Sequence, residues 1–290
     1  MSTPDSGVSD RLGLGAVGGA VTLMGIGSVV AKAAAIDGAV LAFHRAWLAA
    51  VLYLGIYFVL GGRINRAKLK AAAPGGLAFG LQLALFFSAI QRTTVANASM
   101  ILALQPVLVL LFFSKRFGET VGKTEWWLSA AAMAGVSLVL FGSTASPSWS
   151  PFGDLLAAGA LVMWTLYFVY SKTARRTLGA VEYQGISLMY SCAVVLPIAL
   201  SFSGTLDVGP GKWPWALAMA ATPGTGHILM NWAHARVPIG LVSQMTLASP
   251  VVSIAVAAVV LTNETVNFTQ IAGMAVVLGA LGLLLRQRSR

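Results

Sequence analysis

Charge is what this sequence has least of. Of 290 residues, 19 are Lys or Arg and 9 are Asp or Glu, 10% in all, against roughly 25% in soluble domains. A soluble globule of this length cannot cover its surface with so few charges, which excludes a cytosolic enzyme and a disordered chain. The single cysteine, Cys192, excludes an intrachain disulfide framework and a cysteine-based metal site. Its apolar surroundings read as those of a small buried hydrophobe. HExxH, GxSxG, Walker and EF-hand patterns are missing too, so the chain points to no metal, no cofactor and no ATP-driven pump, and an enzyme is not expected.

What is there is apolar. Hydrophobic residues make up 57% and the mean hydropathy is +0.81. A spanning helix needs about 20 mostly apolar residues. Ten segments qualify: 11–32, 39–60, 71–91, 94–114, 124–142, 152–173, 182–203, 213–234, 237–261 and 267–286. Asp5 and Asp10 with only Arg11 make a poor n-region for a cleaved signal peptide, so the first run reads as a spanning helix. The expected class is an all-α integral membrane protein in the lipid bilayer. The connections leave no room for a soluble catalytic domain.

The net charge of +10 would suggest a nucleic-acid partner in a soluble protein. Here the bases cluster between the apolar runs and none is expected. Fifteen of the Lys and Arg residues fall on the side of the N-terminus, and Lys32, Arg92 and Lys212 on the other. That bias is the positive-inside signature. It predicts ten spans in the cell inner (plasma) membrane, with both termini cytoplasmic. Arg45 alone is a base within a span, about 9 Å from its external end by helical rise. No Asp or Glu sits at comparable depth.

The chain also repeats itself. An offset of 144 pairs Gly80 with Gly224, Ala89 with Ala233, Arg92 with Arg236, Ser99 with Ser243 and Pro106 with Pro250. An offset of 140 pairs Gly13 with Gly153, Gly19 with Gly159, Val29 with Val169 and Lys32 with Lys172. Glu119-Thr120-Val121 returns as Glu264-Thr265-Val266. Two five-helix repeats follow, 11–142 and 151–286. Five is odd, so the second enters the membrane from the opposite side. Inverted repeats are an architecture of secondary transporters, with the site near the midplane.

The sequence resembles the drug/metabolite transporter superfamily, specifically proteins with two EamA-type repeats, over residues 11–286. The resemblance rests on Phe43-His44-Arg45-Ala46-Trp47-Leu48-Ala49, Leu104-Gln105-Pro106-Val107, Gly118-Glu119-Thr120, Gly153-Asp154-Leu155-Leu156, Ala248-Ser249-Pro250-Val251 and Asn263-Glu264-Thr265. Trp47 and Asn263 depart from the usual pattern. The resemblance implies a ten-helix exporter of small metabolites, often amino acids or toxic compounds. YddG-type members handle aromatic and other amino acids. A multidrug exporter of the same fold, or a lipid scramblase or membrane enzyme, are the alternatives.

Candidate substrate contacts come from polar or aromatic residues at mid-span. Pro106 and Pro250 should kink spans four and nine, freeing the carbonyls of Leu102 and Thr246. Ser99 and Ala103 share a face with the first proline, Ser243 and Thr246 with the second. Span eight carries Pro223, His227 and Asn231 and reads as the most broken. Phe79, Gln82 and Leu83 are its counterparts in span three. Trp164 and Tyr167 share a face with Ser171, and the repeat sets Met24 opposite Trp164. Arg45 could snorkel, cap carbonyls or hold a substrate carboxylate, and His44 goes with it. Pro106, Pro223 and Pro250 are the candidate hinges. His234 and the tryptophans Trp126, Trp127, Trp213 and Trp215 read as interfacial. Nothing is read from Ser148 and Trp149, in an external loop. Gly15/Gly19 and Gly76/Gly80 have close-packing spacing. Spans five and ten should be peripheral, as scaffold or as contacts of a homo-oligomer.

The topology is tested by single cysteines in a Cys192→Ser background. Arg63→Cys should react with an impermeant maleimide from the cytoplasmic side alone, and Lys212→Cys from the external side alone.

Overall fold

Residues 6–90, 92–93, 95–142, 150–260 and 266–288 are described in a computed structural model. Asp5, Ser148, Trp149, Asn263, Glu264, Thr265 and Arg290 lie outside them. In chain order the helices are α1 (Ser6–Ala34), α2 (Gly38–Val59), α3 (Arg66–Ile90), α4 (Val95–Leu102), α5 (Gln105–Leu108), α6 (Lys123–Phe141), α7 (Pro151–Ala174), α8 (Ala180–Ser203), α9 (Trp213–His234), α10 (Ile239–Met245), α11 (Ser249–Val260) and α12 (Phe268–Arg288). There is no strand among the described residues. They make ten passages: α4 and α5 share one, and α10 and α11 another. Eight passages are long and apolar enough to cross a membrane by length and composition, and residues 97–113 form a shorter apolar helix. The tenth, α9, has the length but carries His227 and Asn231.

Local chemistry sets the helix ends. The Asp37 carboxylate accepts from the N–H groups of Ala39 and Val40 at 3.0 and 3.1 Å and starts α2. Burial alone would raise its pKa. Hydrogen bonds from Ser203 and the two amides outweigh this and hold it below the ordinary value. Ser150 with Pro151 starts α7. Glu125 and Glu182 reach back to the N–H groups of Gly122 and Gly179 at the starts of α6 and α8.

The breaks fall partly elsewhere than expected. Span eight is the unbroken α9, which runs through Pro223, as α3 runs through Pro74 and α8 through Pro197. The broken passages are the fourth and ninth. In the fourth the chain turns at Ala103–Leu104, restarts as α5, then widens into a π-helical turn, Val109–Phe113. In the ninth a 3-10 turn, Thr246–Ala248, separates α10 from α11. Pro106 and Pro250 are each second in the restarted helix, not mid-helix kinks. There the missing N–H would have no intrahelical partner in any case. The Thr246 carbonyl is not freed either, because it accepts from the Ser249 N–H.

Packing respects the repeat. Helix α1 lies along α9, and its repeat counterpart α7 lies along α3. The broken passages depart from this: α1 meets α11, the counterpart of the segment that starts with α5, whereas α7 meets α4, the counterpart of α10. α2 packs on α8, and α6 on α12, each with its own counterpart. A pseudo-two-fold axis makes such self-paired contacts reciprocal. A Cβ on Gly135 would stand 2.8 Å from the Gly273 carbonyl oxygen, and one on Gly273 would stand 2.6 Å from that of Gly135. Gly76 and Gly80 likewise press on Ser187 and Ser191 of α8, and Ser191 Oγ donates to the Gly76 carbonyl at 2.8 Å. Gly15, by contrast, faces open space.

At the end of the bundle where α1 starts, one carboxylate ties three passages together. Glu119 follows Gly118, whose φ of +74° turns the chain after Lys115–Phe117. Its Oε1 accepts from the Ile239 N–H at 2.7 Å and its Oε2 from the Gly240 N–H at 3.0 Å, capping α10. Lys172 of α7 pairs with the same carboxylate at 3.1 Å and donates to the Val237 carbonyl at 2.8 Å.

Gly273→Val should lower stability by about 1–3 kcal/mol. Gly279→Val, on the same helix with nothing near its missing Cβ, should not. Thermal unfolding of the two variants in detergent checks this.

Candidate functional site

Three helices present polar and aromatic side chains at i, i+3/i+4 spacing, which puts each set on one face. They are Phe79, Gln82 and Leu83 on α3; Trp164, Tyr167, Phe168 and Ser171 on α7; and His227, Asn231 and His234 on α9. By helical rise Phe79, Trp164 and His227 each lie about 20 Å from their helix starts, near mid-membrane.

There the rings gather. Phe79 stacks on Tyr167 with centroids 4.9 Å apart, and Trp164 stacks on Tyr167 at 5.4 Å. His227 lies 4.9, 5.8 and 5.9 Å from Phe79, Trp164 and Tyr167. Arg45 reaches this cluster from α2. Its Nη2 is 2.9 Å from His227 Nε2, and its guanidinium carbon is 5.6 Å from the Phe79 centroid. The guanidinium is always protonated, so it donates and His227 Nε2 accepts. The neutral ring then carries its proton on Nδ1, which is buried with no partner. No carboxylate pairs with Arg45 among the described residues, whose salt bridges are Lys68–Glu182 and Lys172–Glu119. Arg45 neither snorkels nor caps a carbonyl. It is half-buried, so part of it remains open to a ligand.

Toward the C-terminal end of α9 from this cluster lies a buried hydrogen-bond network. Asn231 Nδ2 donates to Gln184 Oε1 at 2.6 Å and to the Tyr167 hydroxyl at 3.2 Å. Asn231 Oδ1 accepts from Ser171 Oγ at 2.6 Å, and Tyr167 donates to Gln184 Oε1 at 3.1 Å. With the Ser171 proton on Asn231, His234 Nδ1 donates to Ser171 Oγ across 2.8 Å. Arg175 Nε donates to the Asn231 carbonyl at 3.0 Å. His234, the last residue of α9, is 1% exposed and buried in this network, because Ser171 and the Phe168 ring 4.8 Å away enclose it.

The other candidates spread out. Met24 of α1 packs over Gly226, beside His227. Gln82 and Leu83 are buried one turn along from Phe79. Ser99 and Ala103 are half-buried at the break of span four. Ser243 and Thr246 turn their hydroxyls to carbonyls of their own segment, at 2.8 Å on Gly240 and 2.6 Å on Ser243. Pro223 lies against Gly27 of α1. His44 lies near the start of α2, its Nε2 on the Leu206 carbonyl at 2.7 Å and its Nδ1 accepting from Trp47 Nε1 at 2.8 Å. Cys192 is only half-buried, at the margin of the core rather than inside it.

Four residues were absent from the candidate set. Gln184 and Ser171 complete the network. Tyr53 of α2 hydrogen-bonds Thr225 and the carbonyls of Ala220 and Ala221. Gln105 is 1% exposed and its amide has no partner at either end. Gln184 sits close to its helix start, so in sequence it looks like an end residue.

The family profile of EamA-like transporters matches residues 11–141 and again 151–286. An uncharacterized transporter of Archaeoglobus fulgidus is 25% identical over 96% of this chain and 97% of its own. The uncharacterized transporter YdeK of Bacillus subtilis is 26% identical over 79% and 80%, and the pseudopaline exporter CntI of Pseudomonas aeruginosa 22% over 70% of each. A crystal structure superposes with a TM-score of 0.78 at 18% identity, covering 98% of this chain and 99% of that one, which shows the shared fold.

Asn231→Ala should cost about 2–3 kcal/mol, since it strands polar groups of Gln184, Ser171 and Tyr167 in a buried site. Tyr167→Phe should cost about 1 kcal/mol. Thermal shift of the purified proteins ranks the two.

Proposed function

The chain belongs to the EamA-like transporter family, and from that premise we propose that it exports small metabolites across the inner membrane. Amino acids and similar small amphiphilic compounds are the substrates, both termini are cytoplasmic, and the mechanism is alternating access. One observation carries this reading. Helices α2 and α3 of the first half and α7 and α9 of the second meet near the midplane around Arg45, His227 and the rings of Phe79, Trp164 and Tyr167. A bilayer-spanning chain does not keep an uncompensated cation there for packing alone. The guanidinium is the residue type that grips a carboxylate in two parallel hydrogen bonds, and the rings offer a face to an apolar body.

The broken passages support the same reading. In the fourth and ninth the backbone departs from α-helix at corresponding places, and such interruptions are tolerated at membrane depth where they face protein or a water-filled space. Each also supplies a joint at which the outer and inner parts of a helix can move separately, with Pro106 and Pro250 at the restarts. The similarity to the pseudopaline exporter CntI supports outward transport.

Purified protein in proteoliposomes preloaded with a broad panel of amino acids and small metabolites should show counterflow of at least one labelled compound. No flux of any small metabolite through folded protein would sink the reading. Arg45→Lys, His227→Ala and Trp164→Ala should each cut flux roughly tenfold or change selectivity, the cost of one bidentate or packed contact. If all three leave both untouched, the site lies elsewhere.

A further inference from the structure

The hydrogen-bonding groups that Arg45 and His227 leave unpaired are donors. Arg45 has five N–H donors and spends one on His227. The others have no partner among the described residues. His227 Nδ1, which carries the ring proton, is unpartnered, and so is the Gln184 amide nitrogen. Trp164 packs through its rings, and its indole N–H meets no acceptor among the described residues. The nearby acceptors are occupied. Gln184 Oε1, Asn231 Oδ1 and the Tyr167 oxygen each take at least one hydrogen bond.

Resting on the transport reading above, we propose that among small amphiphilic compounds this site prefers those with a net negative charge: an aromatic or planar body bearing a carboxylate, ahead of the same body carrying an ammonium group as well. The carboxylate takes the free edge of the Arg45 guanidinium, and the body lies against Trp164. Among the described residues no carboxylate bonds to this cluster to meet an ammonium. Glu182 is engaged with Lys68 and Tyr57 at the cytoplasmic end, and Glu119 with Lys172. At the external end Asp37 binds Ser203 and Asp154 binds Thr93. Gln82 supplies only a neutral amide. The ring faces that could hold a cation are spent in part on one another, Phe79 and Trp164 both on Tyr167. A second cation beside Arg45 in a low-dielectric interior is repelled. The site thus ranks an N-blocked aromatic amino acid above the free one, and an aryl amine last.

Isothermal titration on the purified full chain tests this with four probes of one body. They are N-acetyl-L-phenylalanine, its carboxamide, L-phenylalanine and phenethylamine. The acid should bind at least tenfold more tightly than the carboxamide and more tightly than L-phenylalanine, and phenethylamine should not bind. Arg45→Gln, its fold checked by thermal shift, should compress the acid-to-amide ratio below threefold. If that variant does not fold, the ranking on the native chain decides alone. Equal or tighter binding of L-phenylalanine or phenethylamine overturns the proposal, as does an unchanged ratio in folded Arg45→Gln or no binding of any probe. The same compounds in proteoliposomes separate the two readings. Flux of the amine or the free amino acid without preference for the acid leaves transport standing and removes charge selection. Absence of flux for these and the broad panel removes transport itself.

Discussion

A bilayer core offers no hydrogen-bond partners, and that constraint organises this molecule. Outside the two broken passages the spanning backbone is helical, because only a helix satisfies its own N–H and C=O groups within one segment. The breaks in the fourth and ninth passages are then the informative exceptions. At each the hydrogen-bond ladder shortens to a turn and restarts, and a proline occupies a first-turn position that needs no donor. The same constraint gathers the polar side chains. Asn231, Gln184, Ser171, Tyr167 and His234 hydrogen-bond one another in a buried cluster, with only the Gln184 amide nitrogen and His234 Nε2 left over.

The inverted repeat converts this economy of partners into two similar ends. Contacts recur in pairs, α1 on α9 with α7 on α3, and on the axis itself in the mutual approach of Gly135 and Gly273. At the end of the bundle where α1 starts, Glu119 holds the end of the fourth passage, the start of the ninth and Lys172 of α7 with a single carboxylate. It joins the two halves through charge and hydrogen bonds rather than through an apolar interface.

Composition and the Lys/Arg bias made the class and the ten passages legible, because hydropathy is a sum over some twenty residues and tolerates local error. The breaks were harder. A proline in a sequence cannot say whether it bends a helix, as expected at Pro223, or simply continues in one, as it does there. That depends on whether neighbours such as Tyr53 and Gly27 accommodate the displaced turn. The site was half legible. Arg45, His227, Trp164, Tyr167 and Phe79 stood out as polar or aromatic residues at depth. Gln184 did not, nor did the burial of His234, because both lie near helix ends in sequence. Only the packing of α7, α8 and α9 shows that those ends are enclosed.

Arg45 gathers these threads. A cation in a membrane interior usually meets an acid, and the sequence provides none at that depth. His227 therefore acts as a neutral acceptor for one N–H and orients the guanidinium while leaving its charge whole. A carboxylate in its place would have neutralised the site and cancelled its attraction for an anion. With an imidazole instead, the positive field stays open, softened only by the Phe79 face beneath it. The aromatic walls keep the local dielectric low, which strengthens whatever charge contact a ligand makes. The absence of acids read first as a mark of the membrane is thus also the feature that gives the site its sign.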